Sequence, residues 1–145
     1  MTVFSIVPRS LLLVLLVAWG QPAEAQAPPA GAAAITYCLG DRASTWVDVR
    51  ILETDSTTEI LVHEAMHRRQ MLDTITAVGR CPSAQTPLSY LQSEVEAFCA
   101  SFDERVKRMS PEKARADYLG KLIRYYRVGL SADVVVGLWQ KQCGK

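Results

Sequence analysis

Both histidines of this chain fall in one five-residue run, His63-Glu64-Ala65-Met66-His67. No other feature constrains the fold as tightly, because the spacing carries chemistry only on a helix. There, positions i and i+4 share a face, with Cβ atoms roughly 5–6 Å apart, and two imidazoles can reach one zinc ion. Glu64 between them is then not a ligand. It is a carboxylate beside the metal, placed to take a proton from a water.

The flanks predict that helix from about Thr57 to Asp73. Ser56-Thr57-Thr58-Glu59 reads as a capping box. Ile60, Leu61, Ala65, Met66 and Met71 supply apolar positions at helical spacing. Arg68 and Arg69 suit the later turns, where positive charge complements the helix dipole.

The first 25 residues read as a cleavable signal peptide. Arg9 forms a positive start, and Leu11 to Trp19 is an apolar run of nine residues, short of the roughly 20 that span a bilayer. Ala23-Glu24-Ala25 matches a small-x-small cleavage site, with cleavage after Ala25. Tyr37 before Cys38 is too bulky for a lipidation site. Residues 26–34 are a Pro/Ala-rich leader with nothing to bury, expected to be flexible. Residues 35–145 suffice for a single domain. The expected location is secreted or periplasmic, with no stable membrane association after cleavage.

Four cysteines, Cys38, Cys81, Cys99 and Cys143, follow the signal. An even number in a small exported domain predicts two disulfides, and three pairings are open. Sixteen Lys+Arg balance 15 Asp+Glu, for a net charge of +1. That balance gives no support to nucleic-acid binding. Lys107-Arg108 and the stretch from Lys113 to Arg127 read as solvated helix faces.

The expected fold is mostly α (α+β). Ile35 to Leu39 and Thr45 to Leu52 read as two short strands joined by a hairpin through Gly40 to Ser44. The histidine helix follows, then a loop from Gly79 to Pro87. A second helix begins with Thr86 as cap and Pro87 first, and runs to about Arg108. A third repeats the device with Ser110 and Pro111 and extends to about Val128. A fourth follows Ser131 and ends near Cys143-Gly144. Its apolar run, Val134 to Val136 with Leu138 and Trp139, reads as core-facing; a plug over the cleft is the other reading.

Two histidines need a third protein ligand, and no third histidine exists. The second helix offers Glu94 and Glu96, beginning 27 residues after His67. They cannot both face the metal, because i and i+2 point to different sides of a helix. Leu91, Ala97, Phe98 and Ser101 share the face of Glu94; Ser89, Gln92, Cys99, Ala100 and Asp103 share that of Glu96. Small Ala97 would let the helices approach closely, which favours Glu94, with Glu96 the alternative.

HEAMH followed by a helix with E-x-E-A resembles the zincin metallopeptidases of gluzincin type, over about Thr45 to Phe102. The resemblance implies a small sheet packed on an active-site helix and a glutamate helix giving the third ligand; the two further C-terminal helices are read from the capping signals alone. In relatives that read E-x-x-A-D, the first glutamate binds zinc and the aspartate supports the site. Those positions are Glu94, Ala97 and Phe98 here, so a phenylalanine stands in place of the aspartate. The resemblance also implies that an edge strand, Thr45 to Leu52, would pair with an extended peptide or protein substrate.

The function these readings imply is an exported zinc peptidase-like hydrolase. His63, His67 and Glu94 would hold Zn²⁺, and Glu64 would take a proton from water and deliver it to the leaving nitrogen. Tyr90, Tyr118, Tyr125 and Tyr126 are the candidate donors to the oxyanion. The alternative is a non-catalytic exported zinc-binding or partner-binding helical domain, and a third reading is a helical interaction module without metal. Oligomeric state has no sequence signal.

Overall fold

The computed structural model describes residues 33–39, 41–48, 50, 54–82 and 85–144. The expected signal peptide, nearly all of the leader, and residues 49 and 51–53 lie outside the described residues. Strands β1 (Ala34–Leu39) and β2 (Arg42–Val47) form a two-stranded antiparallel sheet. Four helices follow: α1 (Thr57–Val78), α2 (Pro87–Val106), α3 (Pro111–Lys121) and α4 (Ala132–Cys143). A π-helical turn, Leu122–Tyr126, continues α3. The fold is mostly helical with a small sheet, as expected.

The hairpin is tighter than its sequence suggests. Leu39 pairs with Arg42, so only residues 40 and 41 lie between the strands. Arg42, Ala43 and Ser44, read as connection, are strand, and β2 ends at Val47. Thr36 faces Thr45 in this register, and their hydroxyls are 3.0 Å apart. Cross-strand partners share a face, so Ala34, Thr36 and Cys38 line up on the side of the sheet that meets α1.

Helices α2 and α3 start as read. Thr86 Oγ1 accepts the amide of Ser89, and Ser110 Oγ accepts that of Lys113, with proline first in each helix. Helix α1 outruns its expected end at Asp73, because nothing breaks it before Gly79. Gly79 adopts φ 71° and its amide donates to the Ile75 carbonyl over 2.7 Å, the left-handed stop that glycine allows without a Cβ clash.

The capping box does not form. Ser56 makes no side-chain cap bond. Glu59 instead turns to the end of α2, where Arg105 Nη1 donates to its Oε2 over 3.2 Å and Arg108, just beyond the helix, binds the same oxygen. Two guanidinium groups outcompete one backbone amide for a carboxylate. Arg108 is therefore no solvated-face residue; it also donates to the Asp55 carbonyl.

The apolar core lies among α2, α3 and α4. Leu91, Val95, Tyr118, Leu122, Val135 and Trp139 are fully buried there. Burying side chains of this size stabilises by about 1.5–3 kcal/mol each. Helix α4 thus closes the core, and none of its residues lines the cleft described below. Helix α1 is held differently: its two buried residues are both glutamates, Glu59 and Glu64. Of the apolar positions at helical spacing, Leu61 and Ala65 are exposed, and Ile60, Met66 and Met71 are half-buried.

Disulfides join Cys38 to Cys81 and Cys99 to Cys143. The first ties β1 to the chain just beyond α1; the second ties α2 to the end of α4. Two disulfides point to an oxidising, extracellular environment. Among the described residues, no helix is long and apolar enough to cross a membrane.

Candidate metal centre

The buried face of α2 carries Leu91, Glu94, Val95, Ala97, Phe98, Ser101 and Phe102. The apolar members pack into the core or against its edge. Glu94 sits where that face meets α1, opposite His63 and His67. The two Nε2 atoms of the histidines are 3.1 Å apart. His63 Nε2 lies 3.5 Å from Glu94 Oε2, and His67 Nε2 lies 3.4 Å from Glu94 Oε1. Donors bound tetrahedrally at zinc–ligand lengths stand roughly 3.3–3.4 Å from one another. These three separations bracket that value, and the three side chains can hold a metal ion.

The donor chemistry fits as well. Glu94 is 6 % exposed, and its Oε2 is buried without a hydrogen bond. A buried carboxylate oxygen with no donor is costly unless a cation meets it. His67 Nδ1 is 3.0 Å from Gln70 Oε1. An amide oxygen only accepts, so this contact suits the tautomer with the proton on Nδ1, which leaves the Nε2 lone pair for a cation.

Glu96 is not at this centre. Gln70 Nε2 donates to its Oε2 over 2.8 Å, and Gln142 Nε2 donates to its Oε1 over 3.4 Å. The two glutamates point to different sides of α2, as their spacing requires.

Glu64 is 8 % exposed. Its Oε2 accepts from Thr36 Oγ1 over 2.7 Å, and the same hydroxyl is 3.1 Å from the Glu64 carbonyl oxygen. Phe98, where the sequence resemblance would lead one to expect an aspartate, puts its ring edge-on to His63 at 4.5 Å between centroids. It holds that imidazole by packing rather than by accepting its proton.

The charges agree with the geometry. Burial works against a positive His67, but the Glu94 carboxylate beside it prevails and holds the imidazole above its ordinary value. Burial would raise Glu94, but the two histidines outweigh it and hold the carboxyl below the usual range. Tyr90 and Tyr126 are each pushed up to about 12, by burial first and then by the charge of Glu94. Both therefore keep their phenol protons at neutral pH.

A cleft of about 690 Å³ opens over His63, Glu64, His67 and Glu94. Tyr90 and Tyr126 line its wall, and Ala34, Ile35 and Thr36 form one side. The strand beside the site is thus β1. None of the described β2 residues lines the cleft. Of the four candidate tyrosines, Tyr118 is fully buried in the core, 3.1 Å from Ser101 Oγ, and Tyr125 is largely exposed. Two participants had no assigned role in the sequence. Gln70 is detectable as the residue one turn beyond His67. Thr36 carries no local signal, since a threonine in a strand is ordinary.

No protein-family model, curated protein or solved structure matches this chain.

Proposed function

We propose that the protein is an exported zinc-dependent peptidase-like hydrolase. One observation carries the reading: His63, His67 and Glu94 converge in a cleft, with a buried Glu94 oxygen that has no hydrogen bond and the carboxylate of Glu64 on the same helix turn. Arg9, the apolar run to Trp19 and Ala23-Glu24-Ala25 support export by a signal peptide cleaved after Ala25, to a periplasmic or secreted location.

Zinc bound to these three residues would supply the Lewis acid that activates water and polarises a carbonyl. The chain's own residues would do the rest. Glu64 takes the proton of the attacking water and returns it to the leaving nitrogen. Thr36 commits the Oε2 of Glu64 to the strand, so the proton transfer falls to the other oxygen. Tyr90 or Tyr126, neutral at working pH, donates to the oxygen that gains charge. β1 borders the cleft, and an extended peptide would run beside its backbone.

Glu64→Gln tests the reading in processed, oxidised protein. Zinc content should stay near one per chain while peptide hydrolysis falls by about a hundredfold or more. A second reading draws on the Glu64–Thr36 bond, which gives Glu64 a structural task whether or not turnover occurs. It is a non-catalytic zinc-binding or partner-binding domain, and it predicts that Glu64→Gln changes nothing measurable. A chain that takes up no zinc, even on reconstitution, would sink the peptidase reading and leave a disulfide-stapled helical module.

A further inference from the structure

We propose that Gln70 and Glu96 are positioning residues that set the ring tautomer of His67, an inference that rests on the metal-site reading above. A glutamine amide offers one acceptor and two N–H donors, and its oxygen and nitrogen are told apart only by their partners. Here the partners decide. Gln70 Nε2 lies 2.8 Å from Glu96 Oε2 and 3.2 Å from the Ser93 carbonyl oxygen. Both of those atoms only accept, so both N–H donors are spent on α2. The amide oxygen is left to face His67 Nδ1 at 3.0 Å.

The chain of bonds has one direction. Glu96 and the Ser93 carbonyl draw the amide N–H groups towards α2. The amide oxygen draws the proton to Nδ1. The lone pair is left on Nε2, among the other two donors. Glu96 is steadied from its far side by Gln142 at 3.4 Å. The glutamate that does not reach the metal centre thereby acts on it through one amide. Partners of this kind behind a ligating histidine typically change metal affinity by about 10–100-fold.

The test is zinc affinity of the full disulfide-bonded chain, by competition with a chromogenic chelator, beside the ring-nitrogen NMR spectrum of His67 in the metal-free protein. Gln70→Ala should weaken zinc by about 10–100-fold and turn a single Nδ1–H tautomer into a mixture. Gln70→Glu alone sets two carboxylates against each other and should also weaken zinc. Combined with Glu96→Gln, it restores an acceptor for His67 and a donor behind it, and should recover most of the loss. Normal zinc affinity in Gln70→Ala would overturn the proposal. So would a loss that leaves the His67 tautomer unchanged and that the double exchange does not recover, since Gln70 would then act only as a link between helices. An unmutated chain that binds no zinc would overturn the metal reading itself, and is distinguishable from either.

Discussion

Thr36 Oγ1 donates to Glu64 Oε2 over 2.7 Å, and this bond joins β1 to the helix that carries both histidines. It orients the carboxylate without involving the metal ligands. Thr36→Val keeps the shape and removes the donor. Zinc content should be unchanged, hydrolysis should fall about tenfold, and stability should drop by roughly 1–3 kcal/mol, because a buried acceptor loses its partner. Equal loss of zinc and activity in this variant would show that the strand supports the metal ligands instead.

Glu94 and Glu96 should separate in a zinc titration. Glu94→Ala removes one of three donors and should abolish tight, stoichiometric binding. Glu96→Ala leaves the donor set whole and should still bind one zinc, more weakly. The reverse ranking would exchange their roles.

The metal-free protein should respond to pH through His67 and Glu94. His67 is raised above 6.5, so its contribution is complete below that value and is lost as pH rises through its folded pKa. Glu94 is lowered below 4.5, so its contribution is present above that value and is lost as pH falls through its folded pKa. The pair should stabilise the metal-free chain most between 4.5 and 6.5. Urea unfolding in chelator at about pH 5.5 and about pH 8.5 would show it, with Glu94→Gln flattening the difference. Zinc affinity should run the other way and strengthen as pH rises, because the ion displaces a proton.

Glu59 should be structural. It meets Arg105 at 3.2 Å and also Arg108, while Arg105 Nη2 reaches Asp117 Oδ2 at 2.6 Å and the guanidinium lies 5.8 Å from the Tyr118 ring centre. The cluster ties the start of α1 to α2 and α3. Glu59→Ala takes the carboxylate from Arg108 and leaves Arg105 with Asp117 alone, and should cost on the order of 2 kcal/mol. The loss should appear in chemical unfolding with zinc stoichiometry retained in the folded fraction. A cost below about 0.5 kcal/mol would place Glu59 among ordinary surface pairs.

Much was legible from local patterns. Thr86-Pro87 and Ser110-Pro111 determined where α2 and α3 begin, because a capping oxygen and a proline at the first turn act within four residues. The i, i+4 spacing determined that His63 and His67 share a face. The i, i+2 spacing determined that Glu94 and Glu96 cannot share one. Four cysteines implied two disulfides.

The tertiary structure decided what depends on distant residues. It chose Glu94, since only packing of α2 against α1 determines which side of α2 meets the histidines. It took Glu59 out of its capping box, because two arginines 46 and 49 residues away bind a carboxylate more strongly than one amide does. It paired the cysteines and put β1 rather than β2 along the cleft. Local sequence sets backbone preferences over a few residues; the partner of a charged or polar side chain is set by whichever group the folded chain brings within about 3 Å.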